Sequence, residues 1–533
     1  MNIKHLLKNR SDTDENQIRI NRILNKLKLV KKRKLSSFGS QTHQFKLNKK
    51  LTESEIQKFE IEQGITLPSA YRTFLQFAGD GGAGPYYGIY PLKNWNNFAT
   101  WIIDNVPDNY LQRSSYLKPG WNKMPEFSED EILYEQQHID LYQGTLSIGT
   151  QGCTDETLLV ITGEYRGRVV YADADDNGLY LCREKDFLSW YERWLDEMLN
   201  GYNTHSFGYG PGGDANDFFR LIETSVDEDE IAEAFYAFSR LPQVNEKDKQ
   251  RLITYKQRNE TYIKEALCRL AWKINLPYTD EEIETLLNDP EGKIRKEAIL
   301  LAAEKNPVRF RKKLFNMILN DPDKKVVEGA YWAINRIKSK QENEKAFTHE
   351  ECRQMMQSKH QSIRYWVASK RIWIEEDADM LIQLLSDTNA MVRAEAISSL
   401  HHTLKSKKAI PHILHYLQTM RNIPDDKKEY DNCYGIERAM YLLGELGNTD
   451  CVPELLLWTT HPEDDFYRIN AVGAIAQIGD EQVIPIAQKM LHEEKCPERK
   501  DMRGFTSVSS IHPIKKLVKD QLQKSPNENI RSL

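Results

Sequence analysis

The stretch Leu51–Pro91, LTESEIQKFEIEQGITLPSAYRTFLQFAGDGGAGPYYGIYP, constrains the fold more than any other part of this 533-residue chain. Thr52 with Glu55 three residues later makes a capping box, so a helix starts there and runs toward Gly64, a natural C-cap. Leu67-Pro68 opens a second helix, because proline in a first turn forfeits only an N–H that has no partner anyway. Its Tyr71, Phe74, Leu75 and Ala78 follow the spacing of a core-facing stripe. Gly79, Gly81, Gly82 and Gly84 then turn the chain toward an aromatic strand expected from Tyr86 to Tyr90. Two helices, a glycine turn and an edge strand open an α+β domain.

Further along, Trp95, Phe98, Trp101 and Ile102 predict a short apolar helix, followed by a polar loop from Pro107 to Pro125. Four strands are expected in quick succession, Thr145 to Ile148, Thr157 to Ile161, Arg168 to Ala172 and Leu179 to Cys182, separated by tight turns as in an antiparallel meander. The segment closes on DFLSWYERWLDEML, whose Phe187, Trp190, Tyr191, Trp194, Leu195 and Met198 form a wide apolar face that must cover the sheet. The order acidic helix, Gly-Ile-x-Leu-Pro-x-x-Tyr, apolar helix, glycine-rich turn resembles the SUKH superfamily. The GTLSIGTQGC and GRVVYAD segments and the aromatic closing helix extend the likeness over roughly Leu51 to Leu199. Many bacterial members of that family are immunity proteins that bind and neutralise toxins, and some eukaryotic members are regulatory scaffolds. The resemblance therefore implies a binding protein for a cognate toxin.

Charge is segregated along the chain. Residues 1–50 hold 14 Lys+Arg and 3 Asp+Glu, whereas residues 51–200 hold 11 basic and 24 acidic side chains. In the leader, Ile20, Ile23, Leu24 and Leu27 at helical spacing alternate with Arg19, Arg22, Lys26 and Lys28, ahead of Lys31-Lys32-Arg33-Lys34. This reads as a basic amphipathic helix packed on the acidic domain, ahead of a nucleic-acid contact or nuclear-import signal. Toxins that act on nucleic acid must be basic to bind phosphates, so an acidic inhibitor suits a basic toxin. The expected partner-binding patch is Asp155, Glu156, Asp173, Asp175 and Asp176, all placed in exposed turns.

Asp173 to Glu184, DADDNGLYLCRE, also satisfies the EF-hand calcium spacing. Its flank GRVVYA is Val-rich and reads as a strand, and Asn177-Gly178 is the favoured pair for a type I′ turn, so a hairpin is expected instead of a calcium loop.

Gly201 to Gly213, GYNTHSFGYGPGG, reads as a linker, spanning residues 201–216 in all, across which the two modules should separate and unfold independently. Residues 217–533 then carry helices in pairs. DPEGKIRKEA at Asp289 recurs as DPDKKVVEGA at Asp321 and DTNAMVRAEA at Asp387, with weaker copies at His360 and Pro462. A second signature marks the following helix at Pro411, Pro453 and Pro485. These repeats resemble HEAT repeats, so five to seven of them should form an all-α solenoid.

Candidate chemistry is thin. His401, His402, His412 and His415 are expected to diverge instead of converging on zinc, which needs four ligands. Trp272, Trp332, Trp366 and Trp373 are expected in the core. No phosphate loop, nucleophile elbow or His-Glu-x-x-His occurs, so no enzyme, metal or cofactor is expected. Seven cysteines without a Cys-x-x-Cys pair read as free thiols. No apolar run reaches the roughly 20 residues of a membrane helix, and the basic N-terminus lacks a signal-peptide core, so a cytoplasmic location is expected. The alternatives are a regulatory scaffold, or an enzyme like the HEAT-like DNA glycosylases. Against the latter stands the balance of residues 201–533, 48 basic against 52 acidic, since phosphate binding needs concentrated positive charge.

Overall fold

The structure, a computed structural model, describes residues 3–117, 131–174, 178–339, 346–370, 372–423, 430–446, 449–461, 464–493, 498–500, 506–508 and 513–533. Two compact units divide the chain, Met1–Leu286 and Leu287–Leu533.

The first unit begins with α1 (Ile3–Lys32), the short α2 (Ser40–His43), α3 (Glu53–Glu62) and α4 (Ser69–Phe77). The capping box forms as expected: the Glu55 N–H donates to Thr52 Oγ1 at 3.2 Å and the Thr52 N–H to Glu55 Oε2 at 2.7 Å. Pro68 sits at the N-cap of α4, whose Tyr71, Phe74 and Leu75 are fully buried. Then come α5 (Asn97–Ile102), α6 (Glu131–Tyr142) and four strands, β1 (Thr145–Gly152), β2 (Asp155–Val160), β3 (Val169–Asp173) and β4 (Gly178–Leu181). The strands form one antiparallel meander in the order β1-β2-β3-β4, and α7 (Phe187–Leu199) lays Phe187, Trp190, Tyr191, Trp194 and Leu195 into its core.

Two elements differ from expectation. Tyr86 to Tyr90 is no regular strand: Tyr86 has φ 54°, and the segment makes an isolated bridge from Ile89 to Gly82 and a hydrogen bond from the Tyr90 N–H to the Ile148 carbonyl of the sheet at 2.8 Å. A side-chain-bearing residue in the left-handed region breaks the extended run that a regular strand needs. In addition, α6 fills part of the stretch between the apolar helix and β1, where sequence periodicity marked nothing.

The basic leader packs as read. Ile20, Ile23, Leu27 and Val30 join the same core as the sheet, and their polar neighbours meet the acidic side of α7. Arg19 donates to both oxygens of Asp186 at 2.8 and 2.6 Å, and Lys26 donates to Glu192 at 2.7 Å and Asp196 at 2.8 Å. Arg22 completes the set on Glu192. The cationic helix is a layer of the domain, not an appendage.

The glycine-rich segment departs most from its expected role. Instead of separating modules, residues 201–213 pack inside the first unit. The Phe207 ring is 1% exposed, and its carbonyl accepts hydrogen bonds from Tyr86 Oη at 2.7 Å and Tyr171 Oη at 3.1 Å. Gly208 (φ 86°) lies so close to β3 that a Cβ would stand 2.1 Å from Tyr171 Oη. The glycines are there for close turns against a sheet, not for slack. Beyond them, α8 (Ala215–Thr224), α9 (Glu228–Ala237), α10 (Glu246–Thr254), α11 (Thr261–Ile274) and α12 (Asp280–Leu287) follow. Arg240, whose side chain is 2% exposed, donates to Glu197 of α7 at 3.0 Å and to the Pro211 carbonyl. Arg193 pairs with both Glu184 and Glu197, and Arg183 with Glu230 and Glu233 of α9. The first compact unit therefore ends at Leu286 and not at residue 200.

The second unit is helical and paired: α13 (Gly292–Lys305), α14 (Pro307–Asn320), α15 (Lys324–Ser339), α16 (His349–Met355), α17 (Gln361–Ala368), α18 (Ala378–Gln383), α19 (Ala390–Ser399), α20 (Ile410–Asn422), α21 (Tyr430–Leu446), α22 (Val452–Trp458), α23 (Asp465–Ile478), α24 (Val483–Leu491), α25 (Ile514–Leu522) and α26 (Glu528–Arg531). A small ribbon, β5 (Glu498–Lys500) with β6 (Thr506–Val508), is added late. The odd-numbered helices from α13 to α25 stack each on the next, the layering of a solenoid. The repeated Asp and Arg explain the register. Arg295 of one repeat makes a two-pronged pair with Asp321 of the next at 2.9 and 2.7 Å, and Arg364 does the same with Asp387 at 2.6 and 2.8 Å. A fork-on-carboxylate pair sets orientation as well as distance.

Candidate functional site

Of the acidic residues expected to meet a partner, Asp155, Glu156 and Asp173 gather at one end of the sheet, but not on one face. β1 and β2 are joined by a turn of two residues, exposed Cys153 (φ 51°) and Thr154, with Gly152 already paired to Asp155. So short a turn draws Asp155 and Glu156 into β2, and period-two alternation then sends them to opposite faces. Asp155 stands directly across from Asp173 of β3, both half-buried, and Thr154 Oγ1 donates to Asp173 Oδ1 at 3.2 Å. Tyr209 is their neighbour, its phenol pushed up to about 12 first by burial and then by the fields of Asp155 and Asp173.

Glu156 was expected in an exposed turn, and the structure corrects this: it is 7% exposed and points into the opposite face of the sheet. Its Oε1 is shut off from solvent and makes no hydrogen bond. The Thr150 hydroxyl and the Tyr90 phenol face the carboxyl, and Asn97 at the start of α5 faces the same phenol. Burial pushes the Glu156 carboxyl up to about 8, against the smaller opposing pull of the two hydroxyls. A carboxyl removed from water keeps its proton unless a cation or several donors hold the charge. Asp175 and Asp176 lie outside the described residues.

The calcium-like stretch is a hairpin on both described flanks, with Asp173 paired to Gly178 and Ala172 to Leu179; Asn177 lies outside the described residues. Glu184, which would close a calcium loop, is instead held by Arg193. In the second unit, His401 pairs with Glu445 and lies 4.2 Å from the His402 ring, while His412 and His415 belong to α20. Burial is the main cause of the lowered His401 pKa. Of the expected core tryptophans, Trp373 is buried and Trp366 half-buried, but Trp332 is 55% exposed. It stands edge-on to Trp366 at 4.8 Å, because the helix turns that position away from the core that Tyr331 fills. All six cysteines among the described residues are free thiols, five of them buried. No described helix is long and apolar enough to cross a membrane.

No curated protein matches the chain. Among solved structures, YibA of E. coli shares 15% identity over 50% of this chain and 93% of its own, at a TM-score of 0.33. An engineered protein shares 14% over 60% of this chain and 97% of its own, at 0.31. Human deoxyhypusine hydroxylase in complex with glycerol shares 15% over 50% and 96%, at 0.21. Residues 50–193, which contain the four-stranded sheet, α3 to α6 and the first half of α7, match the model of the SMI1 / KNR4 family (SUKH-1).

Proposed function

We propose that the chain is an immunity-type binding protein that captures a basic protein toxin, such as a nuclease, by stoichiometric contact and performs no catalysis of its own. The match of residues 50–193 to the SUKH-1 family is the observation that carries this reading. The anionic balance of that segment and the pairing of Asp155 with Asp173 at the sheet's end agree with it, since a field of one sign speeds encounter with a partner of the other. The toxin, like the chain, would be met in the cytoplasm. The solenoid-like second unit would add contact surface without active-site residues.

The test uses a co-purifying toxin and the double variant Asp155→Lys/Asp173→Lys. Association at low salt should slow by roughly tenfold and lose most of its salt dependence, while dissociation changes much less, the behaviour of rim charges. Equal association rates for wild type and variant would remove this edge from the interface. Capture of signalling proteins in place of any toxin would favour a regulatory scaffold.

A further inference from the structure

Trp332 stands outside the core of the second unit, in a setting unlike that of a stray apolar side chain. Single exposed hydrophobic residues are ordinary on a protein surface. Here the 55% exposed indole is edge-on to half-buried Trp366 at 4.8 Å. Trp366 lies flat on Tyr331 at 4.9 Å, and Tyr331 lies flat on Phe347 at 5.1 Å. Three stacked rings hold Trp366 in place, and Trp366 in turn braces Trp332. Packing explains the stack, but it does not call for an indole at position 332, where more than half of the side chain is in water.

The aromatic step is set among cations. Lys325, Gly329, Trp332 and Arg336 fall on one side of α15 at helical spacing. Gly329 has no side chain to fill its place, and Lys296 of α13 crosses there: a Cβ added at Gly329 would stand 3.8 Å from its Cγ. Beyond the end of α17, Lys370 holds its Nζ 5.5 Å from the Phe347 ring centre and 5.7 Å from that of Tyr331. Two nearby carboxylates are matched, Glu304 by Arg336 at 3.2 Å and Glu328 by Lys324 at 3.7 Å. The sequence carries the same bias. Residues 289–371 hold 19 Lys+Arg and 11 Asp+Glu, which leaves 29 basic against 41 acidic side chains in the rest of 201–533. The near-neutral balance of the second half conceals a basic block, and the exposed tryptophan lies inside it.

We propose that Lys296, Lys325, Trp332, Arg336, Trp366 and Lys370 form a contact surface for a single-stranded nucleic acid, a role independent of the acidic strand ends. Every base has a π face, so an exposed indole accepts any of them, while cations on neighbouring helices neutralise the phosphates to either side. A duplex keeps its bases stacked on one another and offers the indole nothing flat. An acidic peptide would use the charge and leave the ring idle.

The probe is a fluorescein-labelled oligothymidylate of about 15 nucleotides, within the span that such sites cover. It is titrated with the full chain and followed by fluorescence anisotropy. Binding is expected at low salt, with log Kd rising against log salt at a slope of about 2 to 3, four phosphates at roughly 0.7 each. Trp332→Ala should weaken binding about tenfold, the loss of one stacked base, and leave the salt slope as it was. Trp332→Phe keeps a ring and should keep most of the affinity. Lys296→Gln/Lys325→Gln should lower the slope by roughly 1.4, two phosphate contacts fewer. Four results would each overturn the assignment: no binding at low salt, equal affinity for wild type and Trp332→Ala, an unchanged slope in the lysine variant, or equal affinity for a duplex of the same length. Displacement of the oligonucleotide by an equimolar end-blocked hexaglutamate peptide would overturn it too, and would mark an acidic polypeptide as the occupant.

Discussion

Glu156 and Asp155 are adjacent in sequence and opposite in environment, and the difference should be measurable as a pH dependence of stability. The Glu156 carboxyl is raised from an ordinary value near 4.5 to about 8 in the folded chain. Between those values the unfolded chain has lost this proton and the folded chain has kept it. Stability therefore falls as pH rises through that window, since the state binding more protons is favoured by acid. By pH 7 the cost is on the order of 3 kcal/mol. Glu156→Gln should remove it, raising stability at pH 7 and flattening the slope between about pH 5 and 8, as read from urea denaturation. An unchanged slope would mean the carboxyl is already ionised in the fold. The burial of Glu156 could not be read from the sequence. Cys-Thr-Asp-Glu after glycine looks like a continuous turn, and only the pairing of Gly152 with Asp155 shows that the turn is two residues long. Trp332 was hidden differently: helical spacing marks which residues share a face, but Tyr331 and Trp332 are neighbours, and contacts alone decide which one enters the core.

At the scale of elements, legibility followed periodicity. The four strands, the aromatic face of α7 and the capping box before α3 were all evident, because alternation and cap spacing are local properties. The glycine segment misleads at the sequence level for a physical reason. Composition reports conformational freedom, but not whether that freedom is spent on slack or on close approach. Here Gly208 lets the backbone come within hydrogen-bonding reach of Tyr171. Gly208→Ala should cost about 2–4 kcal/mol, combining a left-handed backbone unsuited to a side chain with a Cβ driven into the Tyr171 phenol. A denaturant midpoint equal to that of the wild type would show that this approach is looser than described.

At the scale of the whole molecule, the ion pairs around α7 predict where the chain can be cut. A fragment of residues 1–200 loses Phe207 from its seat and leaves Glu197 without Arg240. Glu197 keeps only Arg193, and emptying the seat of a fully buried aromatic ring typically costs about 3–5 kcal/mol, so this piece should aggregate or melt far below the parent. Residues 1–286 should be soluble and unfold in one cooperative transition by calorimetry. Matching melting temperatures for the two fragments would refute the shared core. The charge segregation in the sequence belongs to the same account: three of the leader's cations, Arg19, Arg22 and Lys26, are spent within the molecule, on Asp186, Glu192 and Asp196. The seat of Phe207 also bears on ancestry. A gene fusion that joined a SUKH-type domain to helical repeats at the glycines would have had to invent the lock between Tyr86, Tyr171 and the Phe207 carbonyl afterwards. Recombination that swaps the N-terminal half for another therefore breaks least when its crossover falls near codon 286, with the first helical pairs inherited as part of the domain they brace.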